Sequence, residues 1–203
     1  MTRPQLSRLA GQVINMQRTV GTLPTGDGCG FAAIGERPTR TWSDVVCRPN
    51  AWRFADPPPG DVAGLLPRLR RLIERAEPYF AAVKPICFLD DLTTKNVLVE
   101  DGELTGVVDF DVVCYGDPLF HLGLTAAALT SNGAPLGGFY ADELFRRAGL
   151  DGTARPVVDL YQAVFLINFL GAEDPYGQGP WRSRCASAAA ALLTSCEVAA
   201  AGW

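Results

Sequence analysis

The chain has 203 residues, 48% hydrophobic and 20% charged, which is the composition of a folded globular protein with a sizeable core. Its net charge of −4 gives no basic footprint for a phosphate backbone, and nucleic-acid binding is not expected. The single histidine, His121, excludes mechanisms that need two, and the six cysteines nowhere show the C-x-x-C spacing of a zinc or redox centre.

The N-terminal stretch has no apolar core of signal-peptide length, and no run reaches the roughly 20 apolar residues of a membrane span. A cytoplasmic protein with reduced, mostly buried thiols and no membrane partner is the expectation. Leu6, Leu9, Val13 and Met16 recur at gaps of three and four, predicting an amphipathic helix over 4–19. Residues 20–60 are rich in glycine and proline and read as a long irregular insert with one helical turn after Ser43. A second helix is expected from an Asp61 N-cap through Leu65, Leu66, Leu69, Leu72 and Ile73, with Pro67 kinking it and Pro78 ending it.

Three short apolar runs follow, over 86–89, 96–99 and 104–109, and Asp101-Gly102 between the last two predicts a tight hairpin. Asp117-Pro118 then opens a helical region, with helices expected over 117–131, 138–149, 155–171 and 180–200. Phe165, Leu166, Phe169 and Leu170 have core spacing within it. The expected class is mainly α with a small β-hairpin (α+β), as one domain over 1–203.

Several polar side chains sit at the edges of the apolar runs, where an inert core would not place them. A hairpin turning at Asp101-Gly102 makes Asn96, which opens one strand, a neighbour of Asp109, which closes the other. Two such oxygens can hold Mg²⁺, which completes its octahedron with water and phosphate. Asp91, five residues before Asn96, could accept a hydroxyl proton over the same site, an arrangement suited to phosphoryl transfer. An Asp-four-Asn spacing alone is also an ordinary turn signature. The demanding feature is the ordered whole: strand, Asp, loop, Asn, hairpin, Asp-Phe-Asp, then Gly-Asp-Pro before a helix.

The stretch ICFLDDLTTKNVLVEDGELTGVVDFDVVCYGDPLFHL, residues 86–122, resembles the catalytic core of the aminoglycoside phosphotransferase and choline kinase-like family, which shares the protein-kinase fold. The resemblance implies a kinase-like C-terminal lobe that moves the ATP γ-phosphoryl group to a small-molecule hydroxyl with Mg²⁺. By that match Asp91 is the catalytic base, and Asn96 and Asp109 are the metal ligands. Asp111 fits the second acid of the Asp-aromatic-Asp motif, and on a continuing strand it would share a face with Asp109. Asp117 reads as a helix N-cap, and His121 as a satisfied structural histidine.

Departures from the family pattern stand beside the matches. Leu89 occupies the place of a histidine that scaffolds the loop, and Asp90 the place of a glycine. Lys84 lies at the entrance to the catalytic strand, seven residues before Asp91, and Lys95 inside the loop, so neither comes from an upstream lobe. Gly26-Asp27-Gly28-Cys29-Gly30 lacks the preceding strand of a phosphate loop and reads as a flexible substrate-side loop. The N-terminal nucleotide lobe is therefore expected to be missing, and a catalytically inactive binding module derived from such a lobe is the alternative. Arg68, Arg70, Arg71 and Arg75 read as a solvated helix face, and Glu173 and Asp174 as acids that could face a cationic acceptor.

Overall fold

The computed structural model describes residues 1–47, 60–93, 95–109, 111–171 and 180–199. Helix α1 (Arg3–Val20) opens with a capping box in which the Thr2 hydroxyl accepts from the Gln5 N–H and the Gln5 side chain accepts from the Thr2 N–H. It buries Leu9, Ala10, Val13, Ile14 and Gln17 along one stripe, as the spacing predicts.

The segment expected to be irregular holds a strand, β1 (Gly30–Ala32), and a helix, α2 (Trp42–Cys47). The glycine-rich run ahead of β1 packs closely at Gly28 and Cys29. Cys29 and Arg40 exchange backbone hydrogen bonds of 2.8 and 3.2 Å, and a Cβ on Gly28 would lie 2.0 Å from the Pro38 carbonyl oxygen. Close backbone approach accounts for that glycine.

The second predicted helix is two helices, α3 (Gly60–Ala63) and α4 (Leu65–Ala81). The break falls between them and not at Pro67, which sits in the first turn of α4, where a missing N–H costs nothing. Pro78 lies within the last turn. Asp61 does not cap α4, whose N-cap is Gly64.

The predicted hairpin forms from β3 (Val97–Glu100) and β4 (Glu103–Val107), with φ of +51° at Asp101 and +83° at Gly102, the double positive φ of a type I′ turn. Beside it lies a second, unanticipated sheet. Strands β2 (Ile86–Phe88) and β5 (Val113–Gly116) join β1 in an antiparallel sheet ordered β1-β5-β2. Every residue of β5 is buried, so it carries no alternation for a sequence reading to find.

Helices α5 (Leu119–Asn132), α6 (Gly137–Ala148), α7 (Arg155–Leu170) and α8 (Pro180–Ala199) follow close to their predicted bounds. One core gathers α2, α4, α5, α7 and α8 around Trp42, Phe80, Phe120, Tyr161 and Leu166. The other joins α1, α5, α6 and the inner face of the hairpin, with Leu92 buried in it. Two ties anchor α8: Arg182 to Asp61 at 3.0 Å, and Arg68 to both carboxylate oxygens of Glu197. Arg68 is thus a helix-to-helix link and not part of a purely solvated face. All six cysteines are free thiols, five of them buried. No helix among the described residues is long and apolar enough to cross a membrane.

Candidate active site

The loop leaving β2 is held from α1. Gln17, only 7% exposed, donates through Nε2 to the Leu89 carbonyl at 2.6 Å and accepts from the Leu89 N–H at 3.0 Å. Both backbone groups of one residue are satisfied by one carboxamide, which fixes the chain just before Asp90 and Asp91. Five residues earlier on the same helix, Gln12 accepts from the Leu104 N–H at 3.0 Å and donates to Glu103, which also receives Arg8. Helix α1 therefore clamps both the loop and the hairpin. The sequence reading missed Gln17, although a glutamine inside a buried stripe four residues from Val13 was a visible signal. It supplies a backbone anchor at the position where Leu89 leaves the loop without its histidine scaffold.

Within the loop the chain is closely tied. Asp91 is exposed, and its Oδ1 accepts from the Thr93 N–H at 3.3 Å. The Thr93 carbonyl accepts from the Asn96 N–H at 3.1 Å. The Asn96 side chain donates Nδ2 to the Asp91 carbonyl, also at 3.1 Å. Across the hairpin mouth, the Val108 N–H donates to the Asn96 carbonyl at 2.9 Å, one residue before Asp109. The backbones of Asp91, Asn96 and Asp109 thus meet at one place, as the hairpin reading anticipates.

Asp109 is exposed, makes no hydrogen bond or ion pair among the described residues, and has φ of +59°. A non-glycine residue in left-handed backbone is a local strain of the kind that collects at functional sites, and aspartate tolerates it better than most. This conformation also ends the strand geometry. Asp111 lies in the bend before β5, so the expectation that it shares a strand face with Asp109 fails. Glu173 and Asp174 lie outside the described residues.

Two acids near the loop are shielded from water, Asp90 partly and Asp117 almost wholly. Burial pushes the Asp90 carboxyl up, and the neighbouring charge of Asp91 adds to this. Asp117 is buried too, and burial raises its carboxyl against the hydrogen bonds it accepts. Its Oδ1 takes the Leu119 N–H at 2.9 Å; its Oδ2 takes the Tyr79 and Tyr161 hydroxyls at 2.7 and 2.8 Å. Tyr161 in turn accepts from Trp42 Nε1 at 2.7 Å. Asp117 accordingly does more than begin a helix: it joins α2, α4, α5 and α7 through one polar knot.

His121 is buried beneath the loop, with Nδ1 against the Pro118 carbonyl. Its Nε2 has no partner among the described residues, so the histidine is only half satisfied. Burial pulls its pKa down to about 4, leaving the imidazole neutral near neutral pH.

A model of the phosphotransferase enzyme family matches residues 1–161. Among solved structures, aminoglycoside phosphotransferase APH(4)-Ia superposes with a TM-score of 0.70 at 14% identity, covering 96% of this chain and 67% of that one. A thermostable mutant of the same enzyme, in ternary complex with AMP-PNP and hygromycin B, gives 0.67 at 15% identity over the same shares. A putative fructosamine-3-kinase from Thermobifida fusca YX-ER1 gives 0.57 at 21% identity, with 96% and 66% covered. The chain thus spans about two thirds of the length of each, and the likeness gives it a partial kinase-like fold. No curated protein matches it significantly.

Proposed function

Because this chain belongs to the phosphotransferase enzyme family, we propose that it transfers the γ-phosphoryl group of ATP to a hydroxyl of a small molecule. The observation that carries this reading is the meeting of Asp91, Asn96 and Asp109 at the hairpin mouth, with Asp109 held in left-handed backbone. The complex of the similar APH(4)-Ia mutant with AMP-PNP supports the use of a nucleotide.

The donor set fits Mg²⁺. Asn96 uses its Nδ2 on the Asp91 carbonyl, which directs its Oδ1 elsewhere, and Oδ1 is not a buried orphan. Asp109 offers an unengaged, exposed carboxylate. Two hard oxygens suit an ion that keeps most of its shell as water and phosphate. Bound there, Mg²⁺ would neutralise charge on the nucleotide's phosphate oxygens.

In this reading the chain's own residues do the rest. Asp91, exposed on its loop, accepts the proton of the acceptor hydroxyl, while the Thr93 N–H steadies one of its oxygens. The Gln17 clamp holds the loop so that this oxygen keeps its place. Lys84, just before β2, and Lys95, within the loop, are both exposed.

The test is transfer of labelled phosphoryl from ATP to a panel of alcohols and to water. Asp91→Asn is expected to lower turnover by a factor on the order of 10² to 10⁴. Unchanged turnover in that variant would contradict the role of Asp91.

A further inference from the structure

Beside the catalytic loop lies a cavity of about 500 Å³ whose wall includes none of Asp91, Asn96 and Asp109. Leu6 and Leu9 of α1, Leu92 and Thr93 of the loop, Val97 of β3 and Tyr140 of α6 form much of its wall, and no charged side chain lines it. The volume falls within the roughly 300–1,000 Å³ of small-molecule sites, and an apolar wall with few polar groups is the usual makeup of such sites.

Tyr140 distinguishes this cavity from a packing defect. The residue is only 7% exposed, yet its hydroxyl has no hydrogen-bond partner among the described residues. Burial alone pushes the phenol up, with no hydrogen bond opposing or aiding it. The hydroxyl is not among the fully buried unpartnered atoms, so it opens onto the cavity, where a partner can reach it. In a cavity this size, the missing partner can be a ligand's oxygen.

The second distinguishing feature is what the wall is attached to. Thr93 faces the cavity, donates its N–H to the Asp91 carboxylate and accepts the Asn96 N–H on its carbonyl. Whatever presses on Thr93 is one hydrogen bond from each of these two residues. Leu92, beside it, is buried in the same core.

We infer that this cavity is a binding site for a small, neutral, predominantly apolar molecule carrying one hydrogen-bond acceptor for Tyr140, and that its occupancy steadies the loop bearing Asp91 and Asn96. Polycations are disfavoured, because no acidic side chain lines the wall. Because neither Asp91, Asn96 nor Asp109 lines the cavity, its ligand is an effector and not the phosphoryl acceptor.

Prodan, a neutral naphthyl ketone whose fluorescence shifts to the blue in apolar surroundings, is a direct probe with a readout independent of any activity. Saturable binding at one site per chain is expected, weakened about five- to tenfold by Tyr140→Phe through loss of one hydrogen bond. Ala134→Trp, which fills the cavity from the turn before α6, is expected to abolish it. Amide hydrogen exchange at Asn96 should slow when prodan is bound. Binding that does not saturate, or that both variants leave intact, overturns the site; saturable binding with unchanged exchange at Asn96 overturns its link to the loop. Should Ala134→Trp fail to fold, Tyr140→Phe decides, since its hydroxyl has no protein partner to lose.

Discussion

Replacing Gln17 by leucine removes the clamp on Leu89 while keeping helix propensity and side-chain volume. Two hydrogen bonds disappear, of 2.6 and 3.0 Å, and both backbone groups of Leu89 lose their partner in a partly buried place. Each unsatisfied group costs about 1–3 kcal/mol when fully buried, and water reaching this half-buried position recovers part of that. A net loss of about 2–3 kcal/mol follows, or about 4–12 °C in melting temperature for a chain of this length. The same change at Gln12 serves as the control, since that side chain holds Leu104 on the hairpin and not the loop. Thermal unfolding gives the total effect and amide exchange at Leu89 gives its location. Gln17→Leu is expected to speed exchange at Leu89, and Gln12→Leu to spare it. A melting temperature within 1 °C of the parent, together with an unchanged Leu89 amide, would refute the clamp.

His121 takes up a proton near pH 6.5 in the unfolded chain but only near pH 4 when folded. Stability present above pH 6.5 is therefore lost as the pH falls through this window, by about 3 kcal/mol in all. Its imidazole resonance should not titrate between pH 8 and 5, and His121→Phe should flatten the stability profile there. Asp90 and Asp117 oppose this slope, because their raised pKa values favour the folded state at the acid end. The comparison with the variant separates the histidine from them. Asp117→Ala strands the Tyr79 and Tyr161 hydroxyls and the Leu119 N–H, and is expected to cost about 3–5 kcal/mol in denaturant unfolding. A loss below about 1 kcal/mol would show that the knot is ornamental to stability.

What could be read from sequence was what local chemistry enforces. The long helices followed from apolar spacing, and the hairpin from Asp101-Gly102, whose backbone needs positive φ at both residues. The approach of Asn96 to Asp109 then followed from register, since a ladder that pairs Val97 with Val107 brings Asn96 opposite Val108, one residue before Asp109. The β1-β5-β2 sheet was illegible for the converse reason. Its strands are three or four residues long, β5 is buried on both faces, and β1 joins it from far away in the chain. Pro67 misled because a proline in a first turn breaks nothing. The double duty of Asp117 could not be seen at all, because Tyr79 and Tyr161 reach it only through tertiary packing.

Mg²⁺-dependent binding of ATP, followed by calorimetry, tests the central claim most directly, with Asp109→Asn as the partner experiment. Asparagine tolerates the left-handed backbone at this position but lacks the charge. The account predicts heat of binding for the parent chain that needs Mg²⁺ and is lost or at least tenfold weakened in the variant. Binding of equal strength in both proteins, or in the absence of Mg²⁺, would contradict the assignment of Asn96 and Asp109 as the metal's protein ligands.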